Sequence, residues 1–497
     1  MSRKTKPGKK LAKQRQQELR QKKISLFARH FLQAHWPALA VFAGMHAVFW
    51  YCYPYPYVTA DSGEYVSSAQ YLMNNPYRPL GYAVFLALCH FFSSSAQAVP
   101  HFQALVYLLS LLYFLHQLHA VLALSDRANK TLGVLLALNP LPFFYTRHLL
   151  SDSIFVALTL CFVGSLLRYY HAPHFRALVH VIVWGGLSLF VRHIGLFYLF
   201  FAGAVILIKR RKQALPHAAT FACSSFLIIG AICFKMKEDL GVFRMNTFEG
   251  WTMWAIAAPY IDLAPENKNA LAPERLKDIY DFLAAYPAET YRGKSGEWHK
   301  WNNDSPAKKL LFAYIEQNRM NYYDAWIRTN DDLKLVSQNI LRRHIPEYVR
   351  EFFLPSLLQG LWPNMVVSEG SWNNYPLYSK REKPDEAIQA YYGEDSSTWQ
   401  ARFEIFPRIK PLMDLWVRAL MPLLLLVAIA YLIFRKTLPL AQEAPVFLLL
   451  FGFVWFYLLG VGLLSIIFTR YLAPITPFTL ALIFLGIWRI VQSRLTN

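Results

Sequence analysis

Apolar runs close to the roughly 17 to 25 residues that cross a bilayer core of about 30 Å recur along almost the whole of this chain. They fall at 33–52, 102–124, 131–146, 153–168, 177–191, 194–208, 218–234, 414–434, 445–467 and 471–488. A sequence with ten such runs is held to a narrow choice of folds. The expected class is an all-α polytopic membrane protein: a bundle of about ten transmembrane helices carrying a mostly helical extracytoplasmic domain. Composition agrees, because 55% hydrophobic and 16% aromatic residues are too many for a soluble pair of domains of this length.

The net charge of +20 invites a nucleic-acid reading until the charges are located. Residues 1–30 hold eleven Lys or Arg against one acid, whereas 235–410 carry 23 basic and 24 acidic residues. Half of the excess therefore sits in a basic tail, 1–32, whose expected partner is the anionic lipid surface and not nucleic acid. The tail is also a poor signal peptide, its basic stretch being too long and no small-residue cleavage site following the first span. Placing it in the cytoplasm puts Ser125 to Lys130, Arg168 to Arg176, Lys209 to Lys212, Arg435 to Glu443 and the stretch from Arg489 on the same side. Every one of these loops contains Lys or Arg, as the positive-inside rule requires. Cys52, Cys89, Cys161, Cys223 and Cys233 lie in or beside apolar runs without CxxC spacing, which offers neither a disulfide framework nor a zinc site.

The residues left on the other side fall into an orderly set. Asp61, Glu64 and Arg78 belong to the first outside loop, 53–101; Arg147, His148 and Asp152 to the second; Arg192 and His193 to the third; Arg470 and Tyr471 to the last. Ionisable groups at membrane depth are costly and mark a water-filled site by default. One end of the bundle, 33–234 together with 414–497, is thus expected to hold a cavity of mixed charge. Residues 235–413 form the expected outside domain, and Val349 to Leu361 within it is apolar yet too short and too Pro-broken to span.

Arginines and carboxylates around one cavity suit a phosphate plus a polar group. Transfer of a sugar from a lipid phosphate needs cations on the departing phosphate and a carboxylate near the attacking hydroxyl. Asp61 fits the base, with Arg78, Arg192 or Arg470 as the clamp. Each has a plainer reading. In ADSGEY, Asp61 can cap a helix with Glu64 three residues on, as in a capping box; Asp152 can favour a helix dipole; Arg192 and Arg470 can snorkel to headgroups. Their convergence on one face favours chemistry. His116 and His119 share a helical face but have no third ligand nearby, and no obligatory metal or cofactor is expected, although Asp61 with Glu64 or Asp152 could hold a divalent cation. No GxSxG, HExxH, Walker or Rossmann pattern in its proper context occurs, against a nucleotide-driven enzyme or transporter.

Several segments resemble, in order and spacing, those of the GT-C superfamily of polyprenyl- or dolichyl-phosphate-sugar-dependent glycosyltransferases, in its protein O-mannosyltransferase and aminoarabinose transferase branch. They are ADSGEY, RPLGYAVFLAL, YTRHLLSDSIFVAL, LFVRHIGLFYL and FTRYLAPITPF; Ala83 stands where the family has a second proline. The resemblance implies an inverting transfer on the extracytoplasmic side from a polyprenyl-phosphate-linked sugar to a lipid, glycan or protein acceptor. It makes Asp61 the catalytic carboxylate with Asp152 assisting. Glu64, Tyr65, Arg78, Tyr82, Arg147, His148, Arg192, His193, Arg470 and Tyr471 are then the candidates for holding substrate. It also points to a bacterial inner membrane, with both termini cytoplasmic and the site periplasmic. The rival from another class is a transporter or flippase of a lipid-linked or anionic substrate, which predicts internal repeats and broken spans at mid-membrane. A further rival, a non-catalytic assembly factor, predicts that carboxylate-to-amide changes in the pocket are harmless.

Overall fold

The computed structural model describes residues 31–209, 214–263, 274–363, 385–434, 443–465, 467 and 469–496. The basic tail and much of the expected inside loops at 209–212 and 435–443 lie outside the described residues. Residues 31–52 form α1. There follow α2 (Ser62–Tyr71), α3 (Gly81–Phe92), α4 (Ala98–Leu122), α5 (Asp126–Ala137), α6 (Pro140–Tyr145), α7 (Asp152–His171), α8 (Phe175–Val191), α9 (Leu196–Lys209) and α10 (Ala214–Leu240). The polar region contributes α11 (Glu249–Ala257), α12 (Glu274–Ala284), α13 (Gly296–Trp301), α14 (Pro306–Asn318), α15 (Tyr322–Arg343), α16 (Ile345–Tyr348), α17 (Leu354–Leu361) and α18 (Glu386–Tyr392). The chain closes with α19 (Phe406–Phe434), α20 (Ala444–Leu464), α21 (Thr469–Leu472) and α22 (Thr476–Thr496). Among the described residues no strand forms; an isolated bridge pairs Tyr57 with His148.

Among the described residues, five helices are long and apolar enough to cross a membrane: α4, α7, α19 and α20, with Leu215–Leu240 of α10. Shorter apolar helices occupy Gly81–Phe92, Phe175–Val191, His193–Lys209 and Thr476–Gln492. Helix α7 lies at the centre, almost wholly buried and packed between α4 and α8. An uninterrupted span at 131–146 does not form. Pro140 lacks the amide that a continuing helix needs and disfavours helical backbone at the residue before it. Asn139 accordingly turns extended, α5 ends before it, and its side-chain amide donates to Thr476 Oγ1 at 3.1 Å.

The polar region 235–413 splits, among its described residues, between two buried cores. Trp251, Trp254, Trp326, Leu283, Tyr291, Leu311 and Leu333 centre a separate cap core, in which Trp251 and Trp326 stack with ring centroids 4.2 Å apart. Helix α11 lies so close on α15 that a Cβ on Gly250 would meet the Asn330 carbonyl oxygen at 1.8 Å, so only glycine fits there. Ile388, Tyr392, Trp399 and Phe406 instead join the bundle's core. Residues 385–405 are tied there by bonds from Ala96 N to Glu394 Oε1 at 3.0 Å, and from Arg402 N to the Cys52 carbonyl at 2.8 Å. Tyr77, from the loop between α2 and α3, is buried in the cap core.

Candidate active site

Asp61 is the residue before α2, and it does not cap the helix. Its backbone is helical and its side chain makes no hydrogen bond to the first turn. Instead Arg78 Nη2 donates to one carboxylate oxygen, and Arg470 Nη1 donates to the other at 3.2 Å. The capping-box expectation fails because two charge-assisted bonds to guanidinium groups outcompete a neutral amide for the same oxygens. Ser62 takes over part of the local work, accepting from Thr59 N at 2.9 Å and donating to the Leu149 carbonyl at 2.9 Å.

Asp152 lies in the first turn of α7, where its charge favours the helix dipole, and is buried; Arg192 Nη1 donates to it. The Tyr471 ring joins the two ion pairs, its centroid 5.5 Å from the Arg192 guanidinium and 5.4 Å from that of Arg470, within cation–π range. On the Arg78 side the rings of Tyr65 and Tyr77 lie 5.9 and 5.7 Å from the guanidinium. Tyr65 also shares a hydrogen bond of 2.9 Å with Ser151 Oγ, fixing α2 to the start of α7. Three guanidinium groups therefore face two carboxylates, and the balance of charge leaves room for one anion. Arg78 keeps a buried Nε–H with no hydrogen-bond partner among the described residues, a spare donor.

Burial alone would raise the Asp61 carboxyl, but Arg78 above all, then Arg470 and Arg192, outweigh it and hold the group below its ordinary value. The sign for stability follows. A carboxyl depressed by folding adds stability that is fully present above the unfolded value of about 3.9 and is lost as pH falls through the lower folded value. Thermal melting should thus be insensitive to Asp61 from neutrality down to mildly acidic pH and respond to it only in stronger acid. The charges of Arg470, Arg192 and the cap's Lys300 act on the Tyr471 hydroxyl. Lys300 is buried and bonds Glu297 at 2.6 Å, so the cap stands over the Tyr471 side of the cluster.

The remaining candidates are placed differently. Glu64 acts on the Tyr77 hydroxyl, which burial and that charge push up, and on Tyr322 and Tyr323; it faces the cap. Tyr82 is buried and donates to Gln103 at 3.1 Å, and the Gln103 amide donates to the carbonyls of Thr146 and His148 at 3.0 and 2.8 Å. Arg147 donates to the Tyr53 carbonyl, and His148 Nδ1 lies 3.1 Å from the Phe144 carbonyl. His193 Nε2 lies 2.9 Å from the Met245 carbonyl. These residues hold loops in place and are not in the ion-pair cluster. Sequence reasoning missed Tyr77, Ser151, Glu297 and Lys300; an aromatic directly before a site arginine was the available signal for Tyr77. Among the described residues no group of three or more His, Cys, Asp or Glu is placed to hold a metal ion.

Gly81 positions this loop. A Cβ there would meet the Phe190 carbonyl oxygen at 2.4 Å, so the start of α3 passes the end of α8 backbone to backbone. Gly81→Ala should force the two apart at a cost of about 1 to 3 kcal/mol, read as a lower melting temperature in detergent.

Two solved structures are similar to this chain. One is the crystal structure of ArnT from Cupriavidus metallidurans bound to undecaprenyl phosphate, with a TM-score of 0.35 and 12% identity over 91% of this chain and 78% of that one. The other is ArnT from the same organism in the apo state, with a TM-score of 0.34 and 13% identity over 90% and 76%. No protein-family model and no curated protein matches the sequence. At TM-scores this low the cluster's own residues have to carry the functional reading.

Proposed function

We propose that the protein is an integral membrane glycosyltransferase. It takes a sugar from a polyprenyl-phosphate donor and passes it, with inversion at C1, to a lipid, glycan or protein acceptor on the extracytoplasmic face. The observation that supports this best is the carboxylate of Asp61 held between Arg78 and Arg470, beside a second arginine–aspartate pair, at one end of a bundle of apolar helices.

In this mechanism the donor arrives sideways from the bilayer with its phosphodiester monoanion at the cluster. Arg470, the most exposed of the three arginines at the cluster, turns from Asp61 to the phosphate, and Arg192 supports it. The acceptor hydroxyl attacks C1 from the face opposite the phosphate while the C1–O bond breaks. The electron pair leaves on the polyprenyl phosphate, whose added negative charge the guanidinium groups stabilise. The hydroxyl proton passes to Asp61, freed from Arg470 and therefore a better base than in the resting cluster. Asp152 keeps Arg192 in place and neutralises part of the excess positive charge.

The test is reconstitution in vesicles with a donor labelled in its sugar. The expected products are labelled acceptor and free polyprenyl phosphate in equal amounts. Label that crosses the membrane with the C1–O bond intact would identify a transporter, and label that neither crosses nor transfers would leave an assembly factor.

A further inference from the structure

Tyr77 belongs by sequence to the bundle's first outside loop, yet its ring sits in the aromatic core of the cap. It meets Trp326 with centroids 5.0 Å apart and Trp301 at 5.7 Å, edge on. Its backbone is caught from the same side. Thr247 donates both its amide, at 3.2 Å, and its hydroxyl to the Pro76 carbonyl, while the Thr247 carbonyl accepts from Trp326 Nε1 at 3.0 Å. On the bundle's side, Asn75 Oδ1 accepts from the amides of Tyr77 and Arg78 at 3.1 and 2.6 Å. Asn74 donates its amide and side chain to Asp239 Oδ2, each at 2.8 Å. The five residues from Asn74 to Arg78 are therefore held at both ends and in the middle.

The next side chain is Arg78, which grips Asp61. We propose that Tyr77 is a positioning residue: through Tyr77 and the Thr247–Pro76 bonds, the cap sets where the Arg78 guanidinium stands and so how firmly it grips the catalytic carboxylate. A rigid link of this kind also means that an acceptor bound against the cap can reach Asp61 through main-chain displacement. The role for Asp61 rests on the glycosyltransferase reading, whereas the mechanical link to its carboxyl does not.

A helix of the bundle could have held Arg78 without the cap, and the physical case against that is the loop itself. Between the end of α2 and the start of α3 the chain forms no helix, Pro76 and Pro79 have no amide to donate, and its bonds go to Asn75, Thr247 and Asp239. Around Asp61 the charged and titratable groups are Arg78 on its own loop, Arg470, Arg192, Tyr65 and Tyr471, with Asp152 paired to Arg192. Only Arg78 among the cations stands next to a residue embedded in the cap.

Two variants approach the link from opposite sides. Tyr77→Leu removes the ring from the cap core. Thr247→Val keeps the side chain's shape but loses the hydroxyl bond to Pro76. Asp61 is followed by its carboxyl infrared band, isolated as the difference from an Asp61→Asn protein, across a pH titration. Both variants are expected to protonate Asp61 at higher pH than wild type, because a loosened Arg78 favours the carboxylate less. Tyr77→Phe, which keeps the ring contacts, is expected to titrate like wild type. In the transfer assay both loosened variants should lose about tenfold in kcat, in line with the sensitivity of such steps to small misplacements. Unchanged protonation in Thr247→Val, with the cap's near-ultraviolet circular dichroism intact, overturns the proposal even where Tyr77→Leu unfolds the cap. Absence of transfer by the wild-type protein overturns the glycosyltransferase reading instead, while the infrared titration still decides the link.

Discussion

Asp61→Asn should lower kcat for sugar transfer by about 10² to 10⁴, the usual contribution of a general base, while binding polyprenyl phosphate at least as tightly as wild type. The second half of that expectation comes from the geometry. In the resting cluster the carboxylate occupies guanidinium donors of Arg78 and Arg470 that a phosphate would need. A neutral amide competes with phosphate far less, so the arginines are more available to the lipid. Asparagine does remove the anion between two cations, and the groups are only partly shielded from solvent; the expected loss of stability is accordingly modest, about 1 to 3 kcal/mol. The measurements are single-turnover transfer, equilibrium binding of polyprenyl phosphate and a detergent melt on the same preparation. Transfer at the wild-type rate sinks the role of Asp61 as base. Loss of phosphate-lipid binding together with transfer would mean that the carboxylate organises the arginines and does no chemistry.

The placement of charge in the sequence foretold much of this site, and local pattern misread the rest. Asp61, Arg78, Asp152, Arg192, Arg470 and Tyr471 could be grouped from the primary structure because an ionisable residue at membrane depth has few tolerable places, all at one end of a bundle once orientation is chosen. What each side chain bonds was not legible. Asp61 looked like a cap because Glu64 follows at the right interval, whereas its partners are 17 and 409 residues away, and no local rule sees such pairs. The break in the run at 131–146 had a visible signal in Asn139–Pro140, overruled in the reading by the hydropathy around it. The split of the polar region 235–413 was invisible for a different reason. Its tryptophans are alike in sequence, yet Trp326 fills the cap core and Trp399 the bundle core, and only the tertiary arrangement assigns them. Trp251, Trp254 and Trp326 are fully buried, so these three pack the cap. Tyr77 is the instructive miss: an aromatic in a Pro-rich loop carries no period to read, and its partners lie roughly 170 to 250 residues further along.

Asp152→Asn is expected to have the largest effect on stability, about 3 to 5 kcal/mol, because the pair it breaks is the more deeply buried of the two. Asp152 is 3% exposed and Arg192 is 16% exposed, so the guanidinium left behind has little access to water and cannot lose its proton. The prediction separates two roles that a single variant confounds. Replacing both partners by apolar residues, Asp152→Leu with Arg192→Met, removes the uncompensated charge and should restore most of the melting temperature, since apolar replacement of a buried pair is often neutral or better. It should not restore transfer. The donor's phosphate would have lost one of its three cations, and its KM is expected to rise while the protein stays folded. A double variant as unstable as Asp152→Asn would show that the pair stabilises through geometry and not through charge compensation. A double variant that is stable and transfers sugar normally would remove Arg192 from the phosphate site and leave Arg78 and Arg470 as the whole clamp. The ring of Tyr471 lies against the guanidinium groups of both Arg192 and Arg470, so Tyr471→Leu, which removes it, should raise donor KM more than Tyr471→Phe, which keeps it.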